Sequence, residues 1–181
     1  MSWIFDVSSL NSVLGLGTLA LQISTLGGLA LFCMREREEF RTLSRFLSRN
    51  GLLIATLLSG AGIFLTLWYS EVLNLPPCPL CWYQRIFLYP QMLLLGVAWW
   101  RSDSRIADYS ILLSLFGFGF ALYHHLLQTW LEGTLPCPAT GVSCAQRIMF
   151  EFGYITYPMM AITLFVTLIT IMLFVREGKR N

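Results

Sequence analysis

Charge is scarce in this chain. Only 12% of its 181 residues are Asp, Glu, Lys or Arg, about half of the roughly 25% that a soluble domain carries. Hydrophobic residues make up 56%, and mean hydropathy is +0.64. A soluble domain of this size cannot hide so much apolar surface in its own core, which excludes that class. The net charge of +2 and the lack of any basic tract exclude nucleic acid as a partner. Residues 1–12 contain no Lys or Arg, so the positive start of a secretory signal peptide is missing. The expectation there is an ordinary first transmembrane helix. A second soluble domain, a low-complexity linker and a strong internal repeat are also missing.

What is present is a series of long apolar stretches. Five of them reach or approach the span of a bilayer, which takes about 20 helical residues: 13–34, 51–70, 83–100, 109–130 and 157–175. The sequence therefore predicts an all-α, polytopic membrane protein. Cations orient it. Arg35, Arg37, Arg41, Arg45, Arg49, Arg101, Arg105, Arg176, Lys179 and Arg180 fall on one side, against Arg85 and Arg147 on the other. The crowded side is read as cytoplasmic, giving an external N-terminus and a cytoplasmic C-terminus in a bacterial cell membrane. The arginines four apart in 40–49 predict a short helix in the cytoplasmic interface, with stems snorkelling toward headgroups. The glycines of the first stretch are read as ordinary for a membrane helix. Pro90 is expected to kink the third.

Four of the five cysteines fall on the external side: Cys78 and Cys81 in one loop, Cys137 and Cys144 in the next. That side is oxidising in bacteria, so thiol usage and charge bias agree. Four cysteines permit three pairings, of which pairing within each loop is the most economical. Three readings fit: two structural disulfides, a four-cysteine zinc site, or a redox relay. An oxidising compartment and the wide second spacing weigh against zinc. A Cys-x-x-Cys loop closes too few residues to add much stability, which weighs against a structural role. The relay is favoured. Cys33, at the cytoplasmic end of the first stretch, is expected to be a buried, inert thiol.

Arg85 strengthens the relay. It lies four residues after Cys81, one helical turn away, where a guanidinium lowers a thiol's pKa or binds a polar ligand group. The alternative is an interfacial anchor. His124 and His125 sit near the external end of the fourth stretch, where an ionisable side chain is a functional candidate; a structural hydrogen bond serves equally well. Glu71, Glu132 and Glu151 are read as solvated loop charges.

The run Cys78-Pro79-Leu80-Cys81-Trp82-Tyr83-Gln84-Arg85-Ile86 resembles the signature of the DsbB/BdbC disulfide-bond oxidases. Leu135-Pro136-Cys137 to Cys144, followed by Phe152-Gly153-Tyr154-Ile155-Thr156-Tyr157-Pro158, is similar to the short second loop of the BdbC branch. The resemblance covers roughly residues 51–175. It implies a four-helix bundle core, here preceded by one additional transmembrane helix. It implies a DsbA/BdbD-like thioredoxin-fold protein as dithiol partner and a membrane quinone, ubiquinone or menaquinone, as acceptor. By position, Cys137 would form the mixed disulfide with the partner and Cys144 would be its mate. Cys81 would be the quinone-side cysteine and Cys78 its mate, with Arg85 and His124 beside the quinone. The histidine doublet leaves that last choice open.

On this reading residues 1–50 are an added helix and basic segment, 51–175 the oxidase core and 176–181 a cytoplasmic tail. Two alternatives remain: a quinone reductase resembling vitamin K epoxide reductase, and a non-enzymatic membrane scaffold with two structural disulfides.

Overall fold

The computed structural model describes residues 7–130 and 142–178. They form five helices: α1 (Val7–Cys33), α2 (Glu38–Leu67), α3 (Pro79–Arg101), α4 (Ile106–Thr129) and α5 (Tyr157–Gly178). Among the described residues the only β-type pairing is an isolated antiparallel bridge, Glu151 to Ile155. The all-α prediction holds, and each apolar stretch falls within a helix to about one residue, counting the turn that follows α2.

Helices α2 to α5 close into a four-helix bundle. Helix α5 packs against α4 and α2, and α3 packs between α2 and α4. The core runs along their shared axis through Leu52, Ala55, Leu95, Ala121, Phe165 and Met172. In lipid such a core is held by close packing rather than by escape from water. Gly117 shows how tight it is: a Cβ there would come within 2.3 Å of the Phe165 ring, so α4 needs glycine for α5 to seat its phenylalanine. A second device is Gln91, fully buried, whose Oε1 accepts from Ser110 at 2.6 Å and Ser114 at 3.2 Å. It binds α3 to α4 across an apolar interior.

Helices α1, α2 (with the turn that follows it), α4 and α5 are long and apolar enough to cross a membrane. Helix α3 is not in that set. Its 23 residues reach about 34 Å at 1.5 Å per residue, enough for a hydrocarbon layer of about 30 Å, but Gln84, Arg85 and Gln91 dilute its apolar character. The side chains that lower its hydropathy are those that furnish the site and the α3–α4 contact. Pro90 does not end α3, which runs on for another eleven residues, to Arg101. Nor is 40–49 a separate helix: α2 begins at Glu38 and passes without a break into the apolar stretch. Its Arg, Glu and Leu residues are good helix formers, so the helix outlasts the membrane boundary.

Helix α1 stands outside the bundle. It lies along α5 and barely touches α2. Its buried positions Asn11, Gly15, Thr18 and Thr25 form one stripe, and Gln22 falls on the same face. Thr25 Oγ1 meets Thr167 Oγ1 at 2.7 Å, and Gln22 Nε2 donates to Thr163 Oγ1 at 3.1 Å. A Cβ on Gly28 would sit 3.2 Å from Thr170, and one on Gly15 would sit 3.1 Å from Glu151 and Phe152. Two of the four glycines therefore mark close approaches, correcting the reading of all four as unremarkable. Packing on one face also corrects the expectation for Cys33, which is exposed.

Candidate active site

The site is built at the α3 N-terminus. After the turn at Asn74, which takes a left-handed φ of 52°, the chain is extended through Pro76 and Pro77 and delivers Cys78 as the N-cap of α3. Cys78 Sγ accepts from the Cys81 backbone N–H at 3.4 Å. Pro79 follows at the position where a missing N–H costs nothing. This cap sets the two sulfurs 2.9 Å apart. The Cys78 thiol donating to Cys81, a backbone hydrogen bond from Cys78 and the charge of Arg85 together hold the Cys81 thiol below its ordinary range, against burial. Cys78 is pushed up by the same sulfur–sulfur hydrogen bond and by burial. Cys81 is thus the more readily ionised thiol of the pair.

Arg85 is buried, one turn below. Its Nη2 donates to the Thr66 carbonyl at 2.9 Å and, at shorter range, to Ser70 Oγ. Both acceptors come from the end of α2, where Trp68–Val72 forms a π-helical turn. Such turns concentrate at functional sites because they re-aim side chains. The guanidinium also lies 5.1 Å from the Trp82 ring. Among the described residues its hydrogen bonds all leave from Nη2, and Nε and Nη1 keep their donors there.

Of the histidine doublet, His124 faces the sulfurs. It is buried, with Nε2 3.7 Å from Cys78 Sγ and 3.1 Å from the Cys144 carbonyl oxygen, and Nδ1 3.0 Å from Gln84 Nε2. His125 turns the other way and meets Thr156 Oγ1 at 2.9 Å through Nδ1. Gln128, one turn after His124, donates to the carbonyls of Cys144 and Gln146, each at 3.1 Å. The segment carrying Cys144 is therefore clamped onto the Cys78–Cys81 site, and Cys144 is buried in one cluster with Cys78, Leu80 and Leu127. Cys137 and Glu132 lie outside the described residues. Sequence reasoning assigned no role to Gln84 or Gln128. Their only signal was local: one precedes Arg85, and the other follows His124 by one turn. Glu151 is half-buried against α1, with Ser12 Oγ 3.5 Å from Oε2, rather than a solvated loop charge.

The sulfurs, Arg85 and His124 line one end of a cavity of about 340 Å³. Most of the rest of its wall is apolar, with Leu58, Leu65, Leu88 and Leu164 among its residues, and Thr18, Thr66, Gln84 and Gln128 add polar groups. An apolar hollow with a few convergent polar groups at one end is the usual form of a small-ligand site. The Sγ atoms of Cys78 and Cys81 and a ring nitrogen of His124 also lie within 4.8 Å of one another, a set able to hold a soft metal ion. Cys144 is not in that set.

Comparison with known proteins places the chain in a family. The family described as disulfide bond formation protein DsbB matches residues 48–175. The chain belongs to the DsbB family. Among its relatives, a probable disulfide formation protein of Chlamydia caviae is 40% identical over 64% of this chain and 83% of its own length. Probable disulfide formation protein C 2 of Bacillus anthracis is 33% identical over 71% of this chain and 91% of its own. Disulfide bond formation protein C of Bacillus subtilis is 35% identical over 63% and 83%. No solved structure matches. Membership implies a disulfide-forming oxidoreductase of the membrane, and it sets the DsbB resemblance above the vitamin K epoxide reductase-like alternative. Helix α1 precedes the matched region.

Proposed function

We propose that this chain is a membrane thiol oxidase that reoxidises a DsbA/BdbD-like thioredoxin-fold partner outside the cytoplasm and delivers the electrons to a membrane quinone. The reading rests on one observation: Cys81 and Arg85 line the same largely apolar cavity. The residues present suit a quinone. Apolar walls accept a lipid-soluble ring and tail, and the Nε and Nη1 donors of Arg85 suit a carbonyl oxygen, with His124 lining the same cavity. In the proposed topology the N-terminus is external, the C-terminus cytoplasmic, and the arginine-rich ends of α2, α3 and α5 lie inside. Residues 51–175 are the oxidase core, 1–50 an addition to it and 176–181 its tail.

The chemistry is thiol–disulfide exchange, which needs a thiolate at each step. A partner thiolate attacks Cys137 of the oxidised Cys137–Cys144 pair, and Cys144 leaves. The partner's second thiolate then breaks the mixed disulfide, so the partner ends as a disulfide and the pair as a dithiol. Burial of Cys144 supports this order, because a protein partner cannot reach its sulfur. The Cys137–Cys144 dithiol reduces the Cys78–Cys81 disulfide by the same exchange. The clamp by His124 and Gln128 keeps Cys144 beside the Cys78–Cys81 pair while this happens. The Cys78–Cys81 dithiol then gives up two electrons and two protons as its sulfur–sulfur bond forms again. A quinone bound in the cavity supplies the acceptor for both. The hydrogen bond from Cys78 and the charge of Arg85 lower the Cys81 thiol toward the thiolate from which that step starts.

The test is turnover of purified protein in nanodiscs, with reduced thioredoxin-fold protein and a soluble quinone analogue, followed at the quinone absorbance band. Cys81→Ser is expected to abolish quinone reduction. Unchanged turnover refutes the assignment, and wild-type protein whose disulfides never turn over is a scaffold.

A further inference from the structure

The cavity has a wall that does not come from the bundle. Leu14, Gly17, Thr18 and Leu21 of α1 line it, opposite Leu58 and Leu65 of α2. Since α1 and α2 scarcely touch, the wall between them is a seam rather than a packed contact. A second hollow opens farther along the same seam, lined by Gly27 and Leu31 of α1 and by Phe40 and Leu43 of α2.

Helix α1 is not loosely attached, however. Asn11 is buried, and its Oδ1 accepts from Tyr69 Oη at 2.7 Å and from Tyr157 Oη at 3.2 Å. Its Nδ2 donates to the Ile148 carbonyl at 3.4 Å. Gln22 Oε1 accepts from Tyr154 Oη at 2.7 Å, and Thr25 meets Thr167. The helix is thus pinned to α5, to the end of α2 and to the segment after Cys144, while its edge toward α2 is left open.

Gly17 stands on that edge. It is exposed and lines the cavity, and a Cβ added there would meet nothing within 4 Å. Helix packing does not require a glycine at this position. A side chain there would project into the opening.

We propose that α1 makes the lateral doorway of the quinone cavity, with the prenyl tail leaving between α1 and α2 past Gly17, so that residue 17 sets which tail is accepted. The inference rests on the quinone reading above and goes beyond it, because α1 lies outside the family match. Polar residues in a membrane helix usually bond across helices; here they hold α1 on α5 and leave its α2 side free for an apolar chain.

The experiment uses the full chain in nanodiscs and the size series Gly17→Ala, Gly17→Leu and Gly17→Trp. Gly27→Leu is the control, because its site is also free of neighbours within 4 Å but faces the second hollow. The first readout is the amount of long-tailed quinone retained after loading and washing, measured by extraction and absorbance. The second is the KM for quinones with and without a prenyl tail. Retention of the long-tailed quinone is expected to fall progressively along the series, by about tenfold at Gly17→Trp, or ~1.4 kcal/mol. The KM for a tail-less benzoquinone and the retention by Gly27→Leu should match wild type. Full retention by Gly17→Trp overturns the doorway, and equal losses for tailed and tail-less quinones overturn the tail's route. Gly17→Ala keeps the series readable if the largest variant fails to fold. Wild-type protein that retains no quinone at all sinks the quinone reading itself, a result distinct from wild-type retention with an indifferent residue 17.

Discussion

The two cysteine-bearing segments are held in opposite ways. Cys78 and Cys81 belong to a helix end: the cap, Pro79 and the first turn of α3 set their geometry through the backbone. Cys144 belongs to irregular chain, and its carbonyl is caught by two side chains of α4, His124 and Gln128. A helix N-terminus is rigid and favours a thiolate. A segment held by side-chain hydrogen bonds can be let go by breaking a few of them. The contrast suits a relay in which one pair stays beside the lipid and the other moves between that pair and a protein partner.

The sharpest way to break the comparison is to remove one sulfur from each side. Cys81→Ala should eliminate quinone reduction while the partner's thiols still form a mixed disulfide with the chain, seen as a shifted band on non-reducing gels. Cys137→Ala should eliminate that band yet leave Cys78–Cys81 open to oxidation by added quinone. If either variant loses both half-reactions, the division of labour fails.

Next is the clamp. Gln128→Leu removes two hydrogen bonds, to the Cys144 carbonyl, which keeps His124, and to the Gln146 carbonyl, a loss of about 1–3 kcal/mol together. Alkylation of Cys144 should accelerate roughly tenfold or more, read by mass spectrometry, with Cys81 reactivity unchanged. Equal protection of Cys144 in variant and wild type would show that the clamp does not hold it.

A smaller effect comes from Arg85→Gln. Hydrogen bonding from Cys78 is the main cause of the lowered Cys81 thiol, and Arg85 adds its charge. Without that charge the pKa of Cys81 rises. The thiolate is then lost at a higher pH on acidification, so the acid limb of the rate profile moves upward. A limb that stays in place would remove Arg85 from thiolate stabilisation.

The smallest concerns α1. Hydrogen bonds across membrane helices average about 0.6 kcal/mol, rarely above ~1.7. Thr25→Val should lower stability by about that average, and Asn11→Leu, with three partners, by more. Both should show in unfolding titrations while thiol exchange with the partner continues.

Much of this was legible beforehand, for a physical reason. Cys78, Cys81 and Arg85 are spaced along a single helix, so local periodicity places them without knowledge of the fold. The five helices followed from apolar length, which the bilayer dictates. The edges of α2 did not, because hydropathy reports where lipid ends and not where a helix does. The choice of His124 over His125 needed the rotation of α4 against α3. Gln84 and Gln128 gain their meaning from carbonyls and rings on other elements. Asn11, Tyr69 and Tyr157 come from three separate helices, and nothing in the linear chain pairs them.

The widened turn at Trp68–Val72 carries one more consequence. It adds about one residue of winding relative to an α-helix, and one residue is worth about 100° of rotation. Ser70, which grips Arg85, and Tyr69, which grips Asn11, both ride on it. Deleting a single amino acid here would swing both grips off their targets at once, uncoupling the redox end and the added helix without touching a cysteine.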